Sequence, residues 1–185
     1  LSTLTAATGA LEVKATVTDG DNDVASETLD LSTGVFGIKD DGPSIDAAKV
    51  LAADTLTVDE TDLTVDADNV NFADNFSAAI STGADGGSVA YSLVLTGTNV
   101  DSGWDTLAGN NIVMNQVGNV ITGSEGGVDY FTITITPSTG EVSFDQLAAI
   151  KHTNTSSDDE LSTLTAATGA LEVKATVTDG DNDVA

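Results

Sequence analysis

Residues 1–25, LSTLTAATGALEVKATVTDGDNDVA, recur letter for letter as residues 161–185. The second copy begins 160 residues after the first and carries no substitution, which marks a long unit duplicated recently. Long identical units in tandem build arrays, in which each module leans on its neighbours. One full period plus a 25-residue overlap is therefore expected here. An enzyme gains little from multiplication of this kind.

The period does not say where a module begins, but the punctuation does. Pro43 is one of only two prolines and closes Lys39-Asp40-Asp41-Gly42-Pro43, an acidic pair followed by Gly-Pro. That string reads as a stiff junction. Residues 1–38 are then the C-terminal part of one module, 39–43 the linker, and 44–185 most of the next. The second module is expected to want the equivalent of Ser26 to Ile38, its final strand. A five-residue junction reaches at most about 17 Å, too short for that segment to fold back along a sandwich. An incomplete edge, or strand exchange with another copy, is the expected result.

Alternation of apolar and polar residues recurs along the chain. Leu11 to Thr18 puts Leu, Val, Ala and Val on one face and Glu, Lys and Thr on the other. Val89 to Leu95, Asn111 to Val117, Asn119 to Thr122 and Tyr130 to Thr136 read likewise as strands. Pro137-Ser138-Thr139-Gly140 is a turn into Glu141 to Phe144, giving a hairpin. Helix is scarce: Asp145 to Lys151 reads as a short turn capped by Asp145, and Asp46 to Ala53 as a weaker one. The expected fold is all-β, an Ig-like or cadherin-like β-sandwich with Greek-key connections and at most one or two short helical turns.

Charge narrows the partners. Five Lys, no Arg and thirty acidic residues give a formal net charge of -25. Nucleic acid and anionic membrane need clustered basic residues, and none exist to cluster. No apolar run approaches the roughly 20 residues that span a bilayer. Any export signal is expected outside these residues. With 40% hydrophobic residues the chain still has the means to fold. Asp outnumbers Glu 23 to 7, which favours turns and hard-cation sites over helix faces. The absence of Cys excludes disulfides and thiolate metal sites, leaving calcium or core size as the stabiliser.

The densest carboxylate run is Asp19-Gly20-Asp21-Asn22-Asp23, repeated as Asp179, Asp181 and Asp183. Three Asp at alternate positions around a Gly turn several oxygens toward one point, as a hard cation requires. The run is similar to the start of an EF-hand loop. However, the residue at loop position 12 is Asp30 rather than Glu, and the flanks read as strands. A loop site on a sandwich fits better. Asp40 and Asp41 at the junction, Asp59 and Glu60 in VDETD, and Asp85 in GADGG converge with it if they share one pole. Asp66 and Asp68 form a weaker candidate. His152 is the only histidine and has no companion for zinc or nucleophile chemistry. Trp104 reads as a core plug or a sugar-stacking ring.

ATVTDGDNDVASETLDL followed by GVFGIKDDGPSI resembles the module boundary of tandem repeats in type I-secreted RTX adhesins. YSLVLTG, ITG and DYFTITITPSTGEVSFDQLAAIKH resemble the interior of the same repeat. The resemblance implies export from a Gram-negative cell and a surface protein whose repeats hold a distal binding domain outward. A weaker likeness runs to cadherin-like modules through GADGGSVAYSL, TPSTGEV, IKDDGP and VDET. That likeness implies calcium between modules, held by Asp40, Asp41, Glu60 and Asp85 with Asp19, Asp21 and Asp23. IKHTN stands where cadherins carry a further acidic pair.

The leading expectation is a non-enzymatic spacer, rigidified by calcium and partnered by neighbouring repeats, at the surface of a Gram-negative bacterium and active in adhesion and biofilm. The alternative is a calcium-dependent carbohydrate-binding module using Trp104. Nothing in the sequence pairs a nucleophile with a base.

Overall fold

A computed structural model describes residues 1–64, 69–154, 156–157 and 159–185. Asp66 and Asp68 lie outside the described residues. The chain divides into two units, Leu1–Asp41 and Gly42–Ala185.

Unit 1 is an extended antiparallel pairing in two stretches. β2 (Glu12–Thr18) pairs with β3 (Val24–Asp30), from Thr18 opposite Val24 to Glu12 opposite Asp30. β1 (Ser2–Thr5) pairs with β4 (Thr33–Ile38), from Thr5 opposite Thr33 to Ser2 opposite Ile38. Between the stretches the chain bulges through a turn in which Ala10 N donates to Ala7 O. Leu31 N donates to Leu11 O and Ala6 N to Ser32 O, so one ladder carries into the other. Only Ser32 is buried in this unit. An isolated two-stranded ribbon is marginal in water, because nothing covers its apolar face.

Unit 2 is an all-β sandwich. It opens with β5 (Ser44–Ile45), a 3₁₀ turn at Ala47–Lys49 capped by the Asp46 side chain, β6 (Val70–Asn71) and one helical turn, α1 (Ala73–Phe76). β7 (Ile80–Ser81) pairs back on β5. β8 (Gly87–Leu95) follows. Then a meander runs through β9 (Val100–Asp105), β10 (Asn111–Val117), β11 (Val120–Glu125), β12 (Val128–Ile135) and β13 (Glu141–Gln146). With β6 on the β13 side, these form a six-stranded sheet. β14 (Leu171–Asp179) returns from the far end of the chain to pair with β8 along nine consecutive positions. Gln116 on β10 ties β8 to the meander, accepting from Leu95 N and donating to Leu93 O.

Alternation decides which residues fill the space between the layers. Tyr91 and Leu93 from β8 and Ala175 and Val177 from β14 face Ile112, Met114, Ile121, Phe131, Ile135 and Val142. Trp104 meets Phe131 edge-to-face at 5.1 Å and Phe144 in a stack at 6.0 Å. Phe131 lies flat over Gly123, its cross-strand partner, where any Cβ would overlap the ring. The ring therefore covers the strand that glycine leaves bare.

One local expectation changes, and one strand was not expected. Asp145 and Gln146 extend β13 opposite Thr132 and Phe131 instead of opening a helical turn, because β12 offers paired rungs that outweigh local propensity. β9 carries no apolar alternation. Its centre is Ser102, buried and donating to Ile112 O, followed by Gly103 at φ 76°, so the strand kinks where it meets Thr165.

The repeat supplies a built-in control. Val17 is 68% exposed and Val177 is 0% exposed, although their sequence surroundings are identical. Full burial of a valine stabilises by roughly 1.5–3 kcal/mol. Val177→Ala is therefore expected to lower the unfolding free energy by about 2 kcal/mol, and Val17→Ala by less than about 0.5 kcal/mol. Denaturant melts of both variants measure the contrast, and equal losses would contradict the assignment of the core.

Candidate metal centre

The acidic turn has the same local geometry in both copies. Asn22 and Asn182 sit in the left-handed region at φ 74° and 77°. Asp23 N and Asp183 N donate to Oδ1 of Asp19 and Asp179, at 2.9 and 2.7 Å. Asp19 N donates to Asp23 O and Asp179 N to Asp183 O. Asn tolerates a positive φ and Asp closes the turn on its own amides, so the sequence dictates this loop without outside help. In each copy the three carboxylates place ligand oxygens within 4.8 Å of one another. Either group could hold a metal ion.

What differs is burial. Asp19, Asp21 and Asp23 are exposed. The Asp19 carboxyl is held below the ordinary carboxylate value, first by a side-chain hydrogen bond with Asp21 and then by the Asp23 amide. Asp179 is 5% exposed, because the inward alternation of β14 ends on it. Its Oδ2 is buried and has no hydrogen-bond partner among the described residues. Asp181 and Asp183 are exposed beside it. A Cβ on Gly42 would lie 3.9 Å from Asp183 Oδ2 and 4.0 Å from Asp179 Oδ2, so both oxygens border the same small space. Asp85 packs on the turn: a Cβ on Gly180 would stand 2.6 Å from its Oδ2.

Glu60 and Asp59 make other contacts. Glu60 Oε1 accepts from Gln146 Nε2 and Ile150 N, both at 2.7 Å, and its Oε2 lies 3.5 Å from His152 Nε2. It anchors the chain at Glu60 to the end of β13 and to Ile150 beyond it, and His152 shares that contact. Asp59 makes a local turn with Thr61, whose hydrogen bonds, side chain first and amide second, lower the acid's pKa from its ordinary value. Asp40 and Asp41 end unit 1 as exposed residues outside any strand. Trp104 is a core residue rather than a surface ring. Gly42 belongs to the junction string and Gly180 to the acidic turn, but nothing in the sequence placed Gly42 beside that turn. The alternation of LEVKATVTD sets which face Asp179 shares, but the identical run at 11–19 leaves Asp19 exposed, so the burial of Asp179 was not readable from the segment.

Carboxylates this close repel, and a buried oxygen without a partner forfeits its hydration. An all-oxygen set of this kind suits a hard divalent cation rather than zinc. No helix among the described residues is long and apolar enough to cross a membrane.

The chain is thus an acidic all-β module with a carboxylate-lined pole. Residues 55–185 match the model of a family described as a domain of unknown function, DUF5801, and the chain belongs to that family. No curated protein matches it. No solved structure matches it.

Asp179→Asn keeps the Oδ1 acceptor and removes the buried charge. In EGTA it is expected to raise the unfolding free energy by about 1–3 kcal/mol. Asp19→Asn, at an exposed site, is expected to shift it by less than about 0.5 kcal/mol. Chemical denaturation reads both, and a loss of stability in Asp179→Asn under EGTA would count against a cation-hungry Asp179.

Proposed function

We propose that this chain is a non-enzymatic spacer module of a large, secreted bacterial surface adhesin, and that calcium bound at the Asp179, Asp181 and Asp183 turn stabilises the pole of each sandwich. The observation that carries this reading is the buried, unpartnered Asp179 Oδ2 in a turn where two more carboxylates converge. Calcium suits the site because it accepts several carboxylates in a flexible loop, and extracellular modules bind it in the 10⁻⁴–10⁻³ M range. The letter-for-letter period supports an array, whose use is reach. The net charge of -25 supports a partner that is a cation rather than a phosphate backbone. Repeated copies stiffened in this way hold a distal domain away from the cell.

Calcium at 100 times its dissociation constant contributes about 2.7 kcal/mol per independent site. Calorimetric melts in calcium are therefore expected to run about 5–10 °C above melts in EGTA, with magnesium giving a smaller rise. Scattering from a two-period chain is expected to give a longer maximum dimension in calcium than in EGTA. A melting temperature indifferent to chelation would remove calcium from the account.

A further inference from the structure

An asparagine followed two residues on by serine or threonine, with no proline between, is the signature that asparagine-linked glycosylation requires. Two asparagines in the chain meet it, in Asn75-Phe76-Ser77 and Asn154-Thr155-Ser156.

The fold treats the two in opposite ways. Asn75 lies in α1, is 6% exposed and donates from Nδ2 to Ala52 O at 2.7 Å. Its own main-chain oxygen accepts from Leu51 N. To reach that side-chain nitrogen an enzyme has to open α1. Asn154 is exposed and stands beyond the end of β13, outside any strand or helix. Its Oδ1 accepts from Ser156 N at 3.1 Å, the hydrogen bond of an Asx turn. Its Nδ2 has no partner among the described residues. Glu160 accepts from Asn154 N at 2.7 Å and from Thr153 Oγ1 at 3.1 Å. The backbone at Asn154 is thereby fixed while the amide nitrogen stays in water.

The turn also bears on reactivity. An amide nitrogen is a weak nucleophile, because its lone pair is shared with the carbonyl. An N–H donating to Oδ1 draws electron density toward the oxygen and makes the Nδ2 protons easier to remove.

We propose that Asn154 is an acceptor for asparagine-linked glycosylation. The co-substrate is a sugar with a phosphate-ester leaving group at its anomeric carbon, and a transferase of the producing cell supplies the base. Nδ2 attacks the anomeric carbon and gives a proton to that base. The bond from the anomeric carbon to oxygen breaks, and its electron pair leaves on the phosphate. One C–N bond replaces one C–O bond, with no change of oxidation state. Ser156 is a positioning residue, holding Oδ1 from its main chain and supplying the hydroxyl that the signature requires. The product is a bulky, solubilising group on a surface loop. This goes beyond the spacer and calcium readings and depends on neither.

Five lysines and no arginine make the test simple. Trypsin, cutting after Lys49, Lys151 and Lys174, puts Asn75 in peptide 50–151 and Asn154 in peptide 152–174. The full chain, recovered from the cell that makes it, is digested and its peptides are weighed by mass spectrometry. Peptide 152–174 is expected to be heavier by a sugar, and peptide 50–151 to have its sequence mass. An increment of single hexoses identifies a nucleotide-linked donor, and a preassembled oligosaccharide a lipid-linked one. Asn154→Gln and Ser156→Ala are each expected to return 152–174 to its sequence mass, whereas Ser156→Thr keeps the increment. Both positions are exposed, so these variants are expected to melt as the parent does. An unmodified 152–174 would overturn the proposal. So would a sugar that survives Asn154→Gln, since it would sit on a hydroxyl, or one as abundant on 50–151.

Discussion

Two-residue alternation along β14, locked in register by β8, sets almost everything that matters in unit 2. It turns Leu171, Val173, Ala175 and Val177 toward the meander, and the same period delivers Asp179 to the inner face at the strand's end. A strand cannot bury four apolar residues in alternation and exempt the fifth inward position. The carboxylate is therefore pulled inside by its neighbours' packing. The turn that follows answers one of its oxygens with the Asp183 amide and leaves the other facing Asp183 and Gly42. Core and carboxylate cluster are consequences of one ladder.

Much of this was legible before any coordinates. The alternating runs at Val89 to Leu95 and Asn111 to Val117 lie in strands, as does Tyr130 to Thr136 up to Ile135, and the turn at Pro137 to Gly140 joins β12 to β13. β9 was not legible, because its middle is Ser102 and Gly103, and the reason for a strand there lies in β10 across the ladder. The contacts of Glu60 were hidden for a related reason. An acidic residue in VDET reads as a ligand, and its hydrogen-bond partners, Gln146 and Ile150, stand 86 and 90 residues away in sequence. Local pattern names the strands and the acidic turns. Which carboxylate ends up dry depends on what packs across from it.

The two copies of residues 1–25 separate those influences without any mutation. The acidic turn, its left-handed asparagine and the first two rungs after it are the same in both. Burial is not: the valine two residues before the turn's first Asp is immersed in one copy and in water in the other. Conformation here belongs to the segment, and stability belongs to its surroundings.

That independence bears on how the array we propose would change. Because the turn and its rungs form identically wherever the segment stands, a crossover between two copies of it joins backbone to backbone in unbroken register. Loss or gain of one period then alters length by a whole module and leaves every surviving hydrogen-bonded pair as it was. In the proposed spacer, reach would change in fixed steps, with no half-built sandwich between one length and the next.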